Sequence, residues 1–142
     1  MIRPRVAVAF ALVVTHVITL AVGMQIGRAA GRLATAVNTG AAVELYDALS
    51  RIQFESGPPD AARRALLREL DSLKETRPTS LLREQDIARL RIIVLLRLWK
   101  IEAAGSNAEA AERYKTMALA TCNQAKWRDC SEAMMQGLLR DK

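Results

Sequence analysis

Histidine is nearly missing from this chain of 142 residues: there is one, at position 16. Residues 38–142 hold none, so no Ser–His or Cys–His nucleophile pair can be assembled there. Cysteine is almost as scarce. Cys122 and Cys130, eight apart, fit neither a Cys-x-x-Cys redox site nor a zinc site, which needs two more ligands. No run of glycines forms a phosphate-binding loop. Carboxylates such as Glu84 and Asp86 are spread along charged helix faces beside arginines, a solvated arrangement and not a paired acid and base. These absences argue against an enzyme, and no metal, cofactor or small-molecule substrate is expected.

Aromatic residues make up 4 % of the chain, and nowhere do they interleave with a basic stripe. The net charge of +6 therefore has to be divided before it is read. Arg3, Arg5, Arg28 and Arg32 stand in the first 40 residues with no acid, whereas residues 41–142 carry 17 basic and 15 acidic side chains. The larger part is close to balanced, and nucleic-acid binding is not expected. Proline is limited to four residues, alternating strand patterns are absent, and 24 alanines favour helix.

The longest stretch without a formal charge runs from Val6 to Gly27, reading VAVAFALVVTHVITLAVGMQIG. As a helix, these 22 residues span about 33 Å, enough to cross the hydrocarbon of a bilayer. Arginines bracket the run, with Arg3 and Arg5 before it and Arg28 and Arg32 after it, placed to hold a spanning helix at lipid head groups. A cleaved signal peptide is the main alternative. Its best A-x-A site, Ala34-Thr35-Ala36, is separated from the apolar run by two arginines, so a retained anchor fits better. A buried soluble helix is a further alternative, but such helices have shorter apolar runs. The flanking charges nearly tie on orientation.

At the end of the run and just beyond it, glycines recur at a step of four: Gly23, Gly27 and Gly31. The same step reaches back to Thr19 and Thr15 and forward to Thr35 and Thr39, always on a small residue. In lipid, helices associate where small residues let backbones approach and hydroxyls bond across. Thr15, Thr19, Gly23, Gly27 and Gly31 are therefore the expected packing seam. His16 lies among them; the plain expectation is a neutral imidazole bonded across a helix interface. The alternative is a haem or metal ligand, completed by a second copy or a partner.

Beyond the anchor, residues 1–37, a soluble helical domain over residues 38–142 is expected. Asn38-Thr39-Gly40 reads as a break. Ala42, Leu45, Leu49 and Ile52 then mark the apolar face of an amphipathic helix. Leu66, Leu67, Leu70 and Leu73 mark the next, after a start at Pro58-Pro59. Residues 81–105 are apolar almost all round and should lie at the centre of a bundle. Ser80, Ser106 and Asp129 are candidate N-caps, the last two with Glu109 and Glu132 three residues on, and Gly105 is a candidate helix stop.

Cys122 should end one helix, and Cys130 should fall in the first turn of the next. A tight hairpin would bring them to disulfide reach. Free buried cysteines, or a reactive thiol at Cys130, are the other options. Disulfides persist in oxidising compartments, which favours a periplasmic body and an N-terminus inside.

The reading is all-α: one membrane helix followed by a compact bundle of about five helices that ends in a helical hairpin. Its expected role is that of a non-catalytic accessory, assembly or scaffold subunit in a bacterial inner membrane. Its partners would be lipid and other transmembrane helices, in homo-oligomers or complexes. A tethered helical adaptor is the alternative, and a His16-dependent haem or redox component comes behind it.

Overall fold

Proline decides where the first helix stops. A computed structural model of the chain describes the backbone of residues 4–139 and the side chains of residues 17–139. Within these residues there are five α-helices and no strand: α1 (Pro4–Ser56), α2 (Pro59–Glu75), α3 (Glu84–Ala104), α4 (Ala108–Gln124) and α5 (Glu132–Leu138). The expected break at Asn38-Thr39-Gly40 is not there, and all three residues are helical. Weak helix formers lower stability by up to about 1 kcal/mol each but do not block the next hydrogen bond. The stop comes at Gly57-Pro58-Pro59, where the Gly57 amide donates to Gln53 O at 2.9 Å. A Cβ on Gly57 would meet that carbonyl at 2.6 Å, so only glycine fits this close approach. Pro58 is extended, and Pro59 opens α2, where a missing N–H costs nothing.

The chain forms two compact units, residues 1–37 and residues 38–142. In the first, the aliphatic side chains of Val17, Ile18, Leu20, Val22, Met24 and Ile26 are exposed. No helix is long and apolar enough, among the described residues, to cross a membrane. The side chains of residues 6–16, half of the expected span, lie outside that description.

In the second unit α3 is the central helix. It contacts α2, α4 and α5, and Ile92, Ile93, Val94, Leu95, Leu96 and Leu98 are all buried. Only a helix with neighbours on several sides can be apolar round most of its circumference. α2 presents Leu66, Leu70 and Leu73, and α4 presents Tyr114, Ala118 and Cys122. Trp99 and Trp127 pack at the edge of this core. Glu102 links three helices: it accepts from Arg63 Nε on α2 at 2.6 Å and from Asn107 Nδ2, at the start of α4, at 2.9 Å.

The caps fall beside the expected positions. Asn107, not Ser106, caps α4 by accepting from the Ala110 amide. Ser131, not Asp129, caps α5 by accepting from the Met134 amide. Asp129 instead accepts from the Ser131 amide at 2.7 Å and shapes the turn. α3 begins four residues after Ser80; Thr79 Oγ1 accepts from Leu82 N in the connecting turn, and Asp86 accepts from Arg83 N at 3.0 Å. Gly105 has φ −81°, and Ser106 takes the left-handed conformation instead, with φ 61°.

α5 is shorter than expected and begins after Cys130. Its buried anchor is Met135. Lys115 Nζ on α4 reaches Glu132 at 2.7 Å. That hydrogen bond and the attraction of the Lys115 ammonium hold the Glu132 carboxyl below the usual carboxylate range, and the Lys115 ammonium is raised in turn. The tie is therefore complete above the unfolded carboxylate pKa of about 4.3 and is lost as pH falls through the lower folded value.

Leu96→Ala should cost about 2–5 kcal/mol in urea denaturation, against about 0.5 kcal/mol or less for Leu81→Ala at an exposed site. Hydrogen exchange of the α5 amides should quicken as pH falls below the usual carboxylate range, after correction for intrinsic rates, and Glu132→Gln should remove that acid limb.

Candidate functional site

α2 and α3 each place an ionisable side chain in the interior. Glu69 is 1 % exposed and Arg97 4 %. Burying an ion is costly unless it is paired and hydrogen-bonded. α1 supplies the partners from one face. Asp47 Oδ1 accepts from Arg97 Nη1 at 3.1 Å, and the side chains of both are largely buried. One turn further on, Ser50 Oγ donates to Glu69 Oε2. Val43 packs into the core beside them, and Phe54 lies against it with its ring centroid 5.9 Å from the Arg97 guanidinium carbon. The spacing 43, 47, 50, 54 is one helical stripe, so a single rotation of α1 satisfies all four contacts.

That rotation corrects the expected amphipathic face. Leu45 is 60 % exposed, Leu49 52 % and Ile52 57 %, and Ala42 is exposed with them. The ladder expected to pack inward points away, roughly 140° around the helix from the stripe that does. Hydrophobic burial is non-directional and could have taken either face. The buried Arg97 charge and the buried Glu69 carboxyl both need polar partners, and the stripe of α1 that carries Asp47 and Ser50 meets them.

Beside the outward ladder runs a groove of about 400 Å³ between α1 and α2. Tyr46, Leu49 and Ile52 form one wall; Ala61, Arg64 and Arg68 form the other. Both arginines are exposed. A smaller cavity, about 170 Å³, lies where α2 ends against α3 and α4; Arg91 at its edge donates through Nε to Leu73 O at 3.1 Å. Ser50 also lines the larger groove, with its hydroxyl tied to the buried Glu69 carboxyl. The outward face of α1 with its groove is an arrangement suited to contact, and amphipathicity alone pointed to its residues but to the wrong side.

Gly23, Gly27 and Gly31 are helical, and a Cβ on any of them would meet nothing within 4 Å. Thr19, Arg28 and Arg32 are exposed. Thr35 Oγ1 donates to Gly31 O at 3.0 Å on its own helix. The side chains of Thr15, His16, Arg3 and Arg5 lie outside the described residues. Cys122 and Cys130 are at disulfide distance, with sulfurs 2.08 Å and Cα atoms 5.9 Å apart. Among the described residues, no group of three or more His, Cys, Asp or Glu side chains could hold a metal ion.

No family model matches the chain, and no curated protein or solved structure matches it. The functional reading therefore rests on the residues themselves.

The polar layer has a measurable consequence. Asp47→Ala should destabilise the protein by about 3–5 kcal/mol, because Arg97 stays buried without that carboxylate. Asp47→Leu combined with Arg97→Met should recover most of the loss in the same denaturation measurement.

Proposed function

We propose that the chain is a non-catalytic, single-pass membrane protein that serves as an accessory, assembly or scaffold subunit of a membrane complex. The observation that carries this reading is the charge-free run Val6–Gly27, bracketed by Arg3, Arg5, Arg28 and Arg32. The glycine stripe supports the mode of contact. Space for a Cβ at Gly23, Gly27 and Gly31 is open within the chain, so a neighbouring helix could approach the backbone there. Thr15 and Thr19 extend the seam towards the middle of the run, and His16 sits in their company as a hydrogen-bonding side chain.

The cysteine pair supports a direction for the body. Oxidised pairs endure outside the cytoplasm, so residues 38–142 are assigned to the periplasmic side of a bacterial inner membrane and the N-terminus to the cytoplasm.

The full-length chain should stay with the membrane pellet in alkaline carbonate and enter the detergent phase. Release into the supernatant, or an intact mass that begins at Val37, overturns the anchor. An alkaline phosphatase reporter fused after Lys142 should be active, and a silent reporter reverses the topology. Replacing Gly23, Gly27 and Gly31 by leucine should weaken association in a membrane two-hybrid assay; an unchanged signal removes the seam.

A further inference from the structure

We infer that the outward face of α1 between Ala41 and Glu55 is a parallel homodimer interface, on which a second copy of this chain packs ladder to ladder. The proposal concerns described residues of the second unit and does not rest on the membrane reading.

Ala42, Leu45, Leu49 and Ile52 follow the three-four spacing of the a and d positions of a heptad. Three of them are large aliphatics more than half exposed. A contiguous exposed apolar row on a folded unit marks a contact surface. Two heptads are too short to pair as free peptides, because nucleating the helix costs too much. Here the helix is already made and already held, through Asp47 and Ser50, against Arg97 and Glu69. Pairing therefore adds packing without that cost.

The flanks say what the partner is. With Ala42 and Leu49 at a, the g positions are Ala41, Ala48 and Glu55, and the e positions are Tyr46 and Gln53. Parallel pairing sets g of one copy beside e of the other, in the next heptad. Small Ala41 then meets large Tyr46, and small Ala48 meets Gln53. The flank that ends in Glu55 turns towards the side of the partner copy that carries the groove arginines, Arg64 and Arg68. Neither Glu55 nor these arginines form an ion pair among the described residues. Antiparallel pairing would instead set e beside e, bringing Tyr46 against Gln53 and arginine side against arginine side, with the charges opposed. The surface is thus complementary to itself in one orientation, in shape and in charge. A two-fold axis then places Leu45, Leu49 and Ile52 each opposite its own copy.

Single cysteines in the full-length chain test this, since among the described residues no cysteine is free to compete. Leu45→Cys, Leu49→Cys and Ile52→Cys should each give, on mild copper-phenanthroline oxidation, a reducible band at about twice the 15.6 kDa of the chain. Glu44→Cys and Arg51→Cys, on the c positions of the same helix, should stay monomeric. Circular dichroism confirms that each variant is folded. Equal yields at all five positions, or none at 45, 49 and 52, overturn the proposal. So does a cross-link to a protein of another mass. Cross-linking of Leu45→Cys to Ile52→Cys in mixed copies, in place of each to itself, overturns the parallel orientation. A chain released by carbonate that still cross-links at 45, 49 and 52 fails the membrane reading and keeps this one.

Discussion

The buried ion pair between Arg97 and Asp47 sets the arrangement of the helical body. Arg97 lies on the central helix, where most neighbours are aliphatic, and its charge needs a carboxylate out of water. Asp47 can serve only if α1 turns its polar stripe inward, and that turn carries Ser50 to Glu69 and Phe54 to the guanidinium. Hydrophobic replacement of a whole buried pair is often neutral or stabilising. What the pair supplies is orientation. A greasy interface would tolerate several rotations of α1, whereas a paired charge tolerates one.

The outward ladder follows from the same constraint. With the polar stripe facing in, Leu45, Leu49 and Ile52 have no place in the interior, and the chain leaves them in water. A monomer gains nothing by that exposure. The groove beside the ladder, with arginines along one wall, gives the exposed row a shape as well as a hydropathy. The seam at Gly23, Gly27 and Gly31 lies in the other unit, where open space at each missing Cβ is the relevant fact. Both features are surfaces that a single copy leaves unused.

Much of the body was legible in the amino-acid order. The apolar circumference of residues 81–105 identifies the central helix, because no surface helix can sustain it. The hairpin spacing of Cys122 and Cys130 predicts their approach, and Pro58-Pro59 marks the one stop that admits no alternative. Three things were not legible, each for a reason. The rotation of α1 depends on buried polar groups in α2 and α3, and periodicity within one helix carries no information about its neighbours. The caps shifted by a residue or more, since Ser106 and Asn107, or Asp129 and Ser131, compete for the same amides and loop geometry chooses between them. Asn38-Thr39-Gly40 resembles a turn in composition, yet helix on both sides carries through it.

The two corners on either side of α4 share a trait with an energetic meaning. Each contains a left-handed residue that bears a side chain, Ser106 with φ 61° and Lys126 with φ 54°. An L-residue loses roughly 1–2 kcal/mol in that conformation, and glycine would lose little. The helices, not the corner residues, therefore impose these bends, and the strain is drawn from packing around α3. A side chain at each bend also narrows the conformations open to the unfolded chain, which offsets part of the loss. Glycine at either bend would thus ease the folded form while loosening the ensemble it folds from, so the two corners are places where stability can be tuned without touching the core.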